Sequence, residues 1–379
     1  MRLLAVVMSG TVVASAAVWA QTQRTTPEMK SAAAPAPVST AVDKAARWLV
    51  SVQGADGGWG QDGGQASSAR PGERLESSGN DVANTAVAAL ALLQAGRQYD
   101  PQVERALAFV LQQVEASPVD GLAITDRQGT QIQRKLGPCI DTFLSSMLLS
   151  QLDGRASTPA LNARVRKALQ KTVAKIEKHQ QGDGSWNIAG GWAPVLGTSM
   201  ASRSLFEAKN KGVAVNAAAL ERAEEYTVSA LQTARSGVGR GVGGGVAAGG
   251  GGGSLAAPAE AAGVALYQNA QALEQLSRTT ADRVQNAKQI GAIQSRLTDA
   301  AFVGGFGSMG GEEFFSYLNI SDSMKRVGGD GWSKWHTAIT QKIVGLQNSD
   351  GTWAGHHCIT GRVAMTSAAI LNLTVDRAR

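Results

Sequence analysis

The densest run of reactive side chains is His356-His357-Cys358, in a chain of 379 residues that has only four histidines and two cysteines. The other cysteine, Cys139, stands two residues before Asp141. A thiol beside imidazoles can act as a nucleophile, and nearby carboxylates add general acid–base chemistry. Asp81, Asp141, His357 and Cys358 are therefore the candidate catalytic set. A Cys139–Cys358 disulfide is a competing reading that suits an exported chain, and packed free thiols are another. The carboxylates have a structural reading too. Asp81, Thr198 and Glu312 stand at predicted helix starts, where such residues cap free N–H groups or favour the first turn. His179 and His336 read as surface residues.

The elements that hold these residues are helices. Apolar positions recur at helical period with almost no strand-like alternation, so the expected class is all-α. The spacing predicts twelve helices in outer–inner pairs. The first-of-pair segments, at 41–53, 101–115, 161–180, 217–234, 280–298 and 334–347, are the more charged. Their partners, at 80–95, 139–152, 196–209, 257–276, 312–326 and 361–375, are richer in small and apolar residues. Six such pairs, at about 60 residues each, stack neighbour on neighbour as repeat proteins do. Closing the array on itself buries both ends. The inner helices then run parallel, and their first turns gather Asp81, Cys139, Asp141, Thr198, Ser199, Glu312, Glu313 and the 356–362 segment at one rim.

One motif recurs at the ends of outer helices. Gln53 to Trp59, Gln180 to Trp186 and Gln347 to Trp353 share the spacing Gln-x-x-Asp-Gly-x-Trp. Asp-Gly supplies a turn with glycine free to take positive φ. The Gln amide can bond loop backbone, and the Trp offers a large plate to pack.

These elements resemble the QW repeat of squalene–hopene and oxidosqualene cyclases. The helix pairing resembles the α6/α6 toroid, a double barrel of six helical hairpins, that those enzymes share with protein prenyltransferase β subunits. The likeness covers about residues 40–376. It implies that Gln53, Gly57, Trp59, Gln180, Gly184, Trp186, Gln347, Gly351 and Trp353 are structural staples and not reactive groups. In the prenyltransferases an Asp, a Cys and a His hold zinc. Cys139, Asp141 and His357 match those types but not the family's order, so they are weak zinc candidates and no cofactor is predicted. The acidic Asp-x-Asp-Asp run of hopene cyclases is absent, as is an Asp-Asp-x-x-Asp diphosphate motif. Aromatic residues are only 5 % of the chain, few for stabilising carbocations by cation–π contact.

The first twenty residues have a basic start, an apolar centre and a small residue at Ala20, the form of a cleaved secretory signal. Residues 21–39 read as a Pro- and Ala-rich tether, and 40–379 as the toroid domain. A glycine-dominated loop spans 236–254; its Gly-x-Gly-x-x-Gly letters lack a preceding strand and do not mark a nucleotide cradle. The net charge of +6 is too small and dispersed for a nucleic-acid partner. After signal cleavage no stable membrane span is expected. The leading reading is an exported, periplasmic or extracellular, non-cyclase binding or scaffold protein. Its central cavity would hold an apolar, peptide or glycan ligand, or its rim an envelope protein. The alternative is a divergent enzyme of the same superfamily acting on an isoprenoid or other apolar substrate.

Overall fold

The computed structural model describes residues 36–62, 79–188, 194–235, 257–305, 309–356 and 359–377. The signal segment and nearly all of the tether lie outside these residues, as does the 236–254 loop. Among the described residues the fold is all-α, with no β-strand beyond a single bridge between Trp59 and Asp81. Residues from Ala34 onward form one compact unit.

In chain order the helices are α1 (Ala36–Ser51), α2 (Val82–Ala95), α3 (Asp100–Ala116), α4 (Gln131–Leu136), α5 (Ile140–Leu152), α6 (Pro159–Lys178), α7 (Pro194–Asn210) and α8 (Ala217–Arg235). They continue as α9 (Ala257–Leu276), α10 (Thr280–Gln285), α11 (Ala287–Arg296), α12 (Ala300–Val303), α13 (Gly311–Val327), α14 (Gly329–Gly345) and α15 (Arg362–Leu373). Several boundaries differ from expectation, three of them with a plain local cause. α1 starts at Ala36, inside the segment read as tether, because Pro37 falls in the first turn, where its missing N–H costs nothing. The predicted 280–298 helix breaks at Asn286, which ends α10 and starts α11. α4 was not expected; a reciprocal Thr130–Gln133 capping box starts it.

The two helix classes differ in burial as their sequences suggest. On α6, Val165, Leu169, Val173 and Ile176 line one buried stripe, while the opposite face carries charge. On α2, α5 and α15 nearly every residue is buried. Their alanines and serines let neighbouring helices approach closely on all sides.

The neighbour order of these second-of-pair helices returns to its start. α2 packs on α5, α5 on α7, α7 on α9, α9 on α13, α13 on α15, and α15 on α2. Outside them, α1 touches α14, α3 touches α6, and α8 lies on α9.

The three Gln-x-x-Asp-Gly-x-Trp corners make one set of bonds. The Gln53 amide donates to the Gly57 carbonyl at 2.8 Å and to Gln102 O at 3.0 Å on the next outer helix. Gln180 does the same to Gly184 O and Ala219 O, at 3.0 and 2.8 Å. Gln347 donates to Gly351 O and to Ala41 O, each at 2.9 Å. Each indole N–H donates ten residues back, from Trp59 to Leu49 O, Trp186 to Ile176 O and Trp353 to Ile343 O, at 2.7–2.8 Å. The third corner therefore ties α14 to α1, across 306 residues of sequence.

Each corner's glycine permits the next outer helix to come close. Gly184 has φ +87°, and a β-carbon there would lie 2.2 Å from the Arg222 carbonyl oxygen. Gly184→Ala should lower unfolding free energy by about 2–4 kcal/mol, combining left-handed strain with the clash. Urea denaturation checks this, and a loss below 1 kcal/mol would show that the corner yields.

Candidate functional site

α2 begins with two carboxylates, not one. Asp81 is its N-cap: Oδ1 accepts from Asn84 N–H at 2.8 Å and Oδ2 from the Asn84 amide at 2.8 Å. Asp141, in the first turn of α5, reaches across. Its Oδ1 accepts from Ala83 N–H at 3.1 Å and its Oδ2 from the Gln133 amide of α4 at 2.7 Å. The short helix α4 thus supplies a partner to Asp141. Asp81 and Asp141 are only 2 % and 1 % exposed.

Burial disfavours charge on each carboxyl. It raises the Asp81 pKa despite the N–H bonds it accepts. Asp141 is pushed up to about 7, first by burial and then by the Asp81 charge. A buried carboxyl that keeps its proton near neutral pH beside a second buried carboxyl is a general-acid arrangement in electronic terms. Geometrically it is a double cap, because the oxygens are engaged by the ends of α2 and by Gln133.

Cys139 is half-buried immediately before α5, and its thiol is raised to about 11 by burial and by the Asp141 charge. It is therefore protonated near neutrality and a poor nucleophile. His357 and Cys358, the other members of the catalytic, zinc and disulfide readings, lie outside the described residues. Among the described residues no three His, Cys, Asp or Glu side chains cluster as a metal set.

The residues on either side of His357 and Cys358 are held by hydrogen bonds. The Gln131 side-chain oxygen accepts from Thr360 N–H at 2.9 Å and Gly361 N–H at 3.2 Å. Asp62 accepts from Arg362 N–H at 3.2 Å, and Glu312 from Ile359 N–H at 3.3 Å. The segment before α15 is thus tied to α4, to the first corner and to α13, at the end of the molecule that holds Asp81 and Asp141.

One expectation needs correction. Thr198 is not a cap. α7 starts four residues earlier at Pro194, and the Thr198 hydroxyl instead accepts from Trp186 N–H at 3.2 Å. Thr85 and Thr366 do the same for Trp59 and Trp353, at 2.9 and 3.1 Å. This fourth member of each corner lies 26, 12 and 13 residues after its Trp, so no fixed spacing reveals it. His179 and His336 are partly exposed, as expected of surface residues, and each has a partner. His179 Nδ1 pairs with Lys175 O at 2.8 Å, and His336 lies 3.4 Å from Asp376.

Sequence reasoning missed a second polar centre entirely. Arg203 of α7 pairs with Glu207 at 2.8 Å and with Asp322 of α13 at 2.5 Å. Asn319 of α13 accepts from Arg203 at 3.2 Å and donates to Ser199 at 2.9 Å. α7 and α13 therefore touch directly, although α9 separates them in the helix order. Glu274 of α9, 2 % exposed, holds Arg278 at 2.7 Å, and Arg278 also donates to Ser202 at 3.0 Å. Burial opposes the Glu274 charge, but Arg278, with Arg326 and Arg203, together more than offset it and hold the carboxyl below its usual range. Gln151 of α5 joins the network by donating to Glu207 at 3.3 Å. Residues over 100 positions apart make it, so no local pattern announces it.

An open cavity of about 890 Å³ lies near this network, at the C-terminal ends of α2 and α5. Leu90, Leu93 and Leu107 line it, with Gln151 on its wall.

No described helix is long and apolar enough to cross a membrane. Residues 22–122 match the sequence profile of the squalene-hopene cyclase C-terminal domain. The matched stretch includes the first corner, α1 to α3, and Asp81. No curated protein and no solved structure matches the chain.

Proposed function

Taking that match as support for membership of the squalene–hopene cyclase-like terpenoid cyclase superfamily, we propose that this is an exported, non-cyclase binding protein built as a closed α6/α6 toroid. The toroid reading rests on the returning neighbour order from α2 to α15 and on the Gln347–Ala41 bond that joins the last corner to the first helix. The Gln-x-x-Asp-Gly-x-Trp corners are read as its QW repeats. Export rests on the form of residues 1–20.

The observation that carries the non-cyclase reading is the use of the acidic pair. A cyclase acid must present its proton to an alkene inside an apolar chamber. Here Asp81 and Asp141 accept from the first turn of α2, and Gln133 takes up the second Asp141 oxygen. The contact between α7 and α13 is filled by charged and amide groups, which a hydrocarbon substrate would have to desolvate at several kcal/mol per ion. Binding needs no proton donor and tolerates both features.

Incubating the purified chain with squalene should give no cyclised product by gas chromatography. Extraction of protein taken from the exporting cell should yield a stoichiometric small molecule. Cyclised product, or a chain that is empty and binds nothing, would overturn the reading. One observation favours the enzyme alternative: Asp141 keeps a proton near neutral pH, as a general acid must. If the product does form, Asp141→Asn should abolish it.

A further inference from the structure

We propose that the cavity at the C-terminal ends of α2 and α5 binds a small amphipathic anion, with an alkyl chain against its leucines and an acidic headgroup held by Arg155, Lys211 and Arg377. The inference rests on the binding-protein reading and names that protein's ligand class and its site.

The floor of the cavity is apolar. Leu90 and Leu107 are almost fully buried behind it, and Leu93 and Leu152 complete the surface. About 890 Å³ falls within the span of small-molecule sites, roughly 300–1,000 Å³. The wall is charged, with four cations against two carboxylates. The carboxylates leave a positive surplus. Asp100 lies 3.7 Å from Arg97, and Glu104 accepts from the Ser157 hydroxyl. Among the described residues no carboxylate lies within ion-pair distance of Arg155, Lys211 or Arg377. Arg377 makes one long bond, 3.4 Å, to Ala95 O, which leaves most of its guanidinium donors unspent.

These three cations come from segments more than 50 residues apart: the turn after α5, the turn after α7, and the 3-10 turn Val375–Arg377 after α15. A cation is favoured beyond any helix C-terminus, which accounts for their type. It does not account for their convergence on one apolar-floored cavity. A neutral ligand would leave the wall's surplus of two positive charges unmatched, and a cation would be repelled. A carboxylate or phosphate head can accept charge-assisted bonds from all three while its tail displaces water from the leucines. Carboxylate and phosphate share that chemistry, so the probes must separate them.

Isothermal titration calorimetry of the full chain with dodecanoate and with dodecyl phosphate, each below its critical micelle concentration, tests this. Both should bind at one saturable site, and the ratio of their affinities identifies the preferred head. Dodecyltrimethylammonium, with the same tail and the opposite charge, should not bind. Replacing both Arg155→Glu and Arg377→Glu should weaken the anions by at least about tenfold without moving the thermal melt, since both side chains are at the surface. Lys178→Glu, on α6 and outside the cavity, should change nothing. Leu93→Asp should block the tail. Equal binding of the cationic and anionic probes, undiminished affinity in the double variant, or no binding of either anion would overturn the proposal. If another molecule still co-purifies with the chain, the binding-protein reading survives that failure. Cyclised squalene would instead remove the reading itself.

Discussion

Trp353→Ala lowers the unfolding free energy by about 3–5 kcal/mol, the usual cost of truncating a buried Trp to Ala. Trp353 is 1 % exposed, its indole N–H is spent on Ile343 O, and its backbone N–H on the Thr366 hydroxyl. Removal leaves a large cavity and takes one of the two donors on the Ile343 carbonyl, the other being Leu346 N–H at 3.1 Å, and helices this closely packed cannot slide in to fill the space. The same loss is expected at Trp59, but the consequence for the rest of the chain differs. The third corner joins α14 to α1 through Gln347 and Ala41. Amide hydrogen exchange in Trp353→Ala should therefore accelerate in α1 as well as in α14 and α15, although α1 lies some 300 positions away in sequence. Exchange that accelerates only between 343 and 370 would show that the corner does not close the array. Gln347→Ala, which keeps the indole, should reproduce the α1 effect with a smaller total loss of about 1–2 kcal/mol.

The stability of the chain should fall as pH rises from about 4 to 7, because of Asp141. In the folded state burial and the Asp81 charge hold its proton up to about pH 7, while the unfolded side chain ionises near its ordinary 3.8. The contribution is fully present below the unfolded value, where both states are protonated. It is lost as pH passes through the folded value, because unfolding releases a proton throughout the interval. The slope approaches 1.4 kcal/mol per pH unit, a sum of roughly 4 kcal/mol that Asp81, also raised by burial, modifies. Asp141→Asn keeps an oxygen to accept from Ala83 N–H and carries no charge. It should flatten the slope and raise stability at pH 8 by about 1–3 kcal/mol, read from urea midpoints at a series of pH values. An unchanged slope would mean that other groups set it. Loss of stability at every pH would mean that the carboxylate charge itself holds α2 in place.

Much of the fold was legible because its determinants are local. The stripe Val165, Leu169, Val173, Ile176 is a helical period visible in the letters, and it forms the buried face of α6. Asp-Gly after each Gln marks a turn by its own backbone preferences, and the three corners make matching bonds. Asp81 was legible as a cap because capping depends on the next three residues, here Asn84. α4 was missed since six residues are too few for a period to emerge, and only its Thr130–Gln133 box gave a signal.

The sequence alone thus determined the helical class, the pairing of a charged helix with a small-residue helix, and the tryptophan corners, all written within windows of about twenty residues. Tertiary structure alone decided which distant groups meet: Asp141 beside Asp81, Arg203 against Asp322, Gln347 upon Ala41, and three cations around one leucine floor. Burial and electrostatic coupling arise only when separate helices pack, so an Asp that reads as an ordinary carboxylate in the chain becomes one that titrates near 7 in the fold.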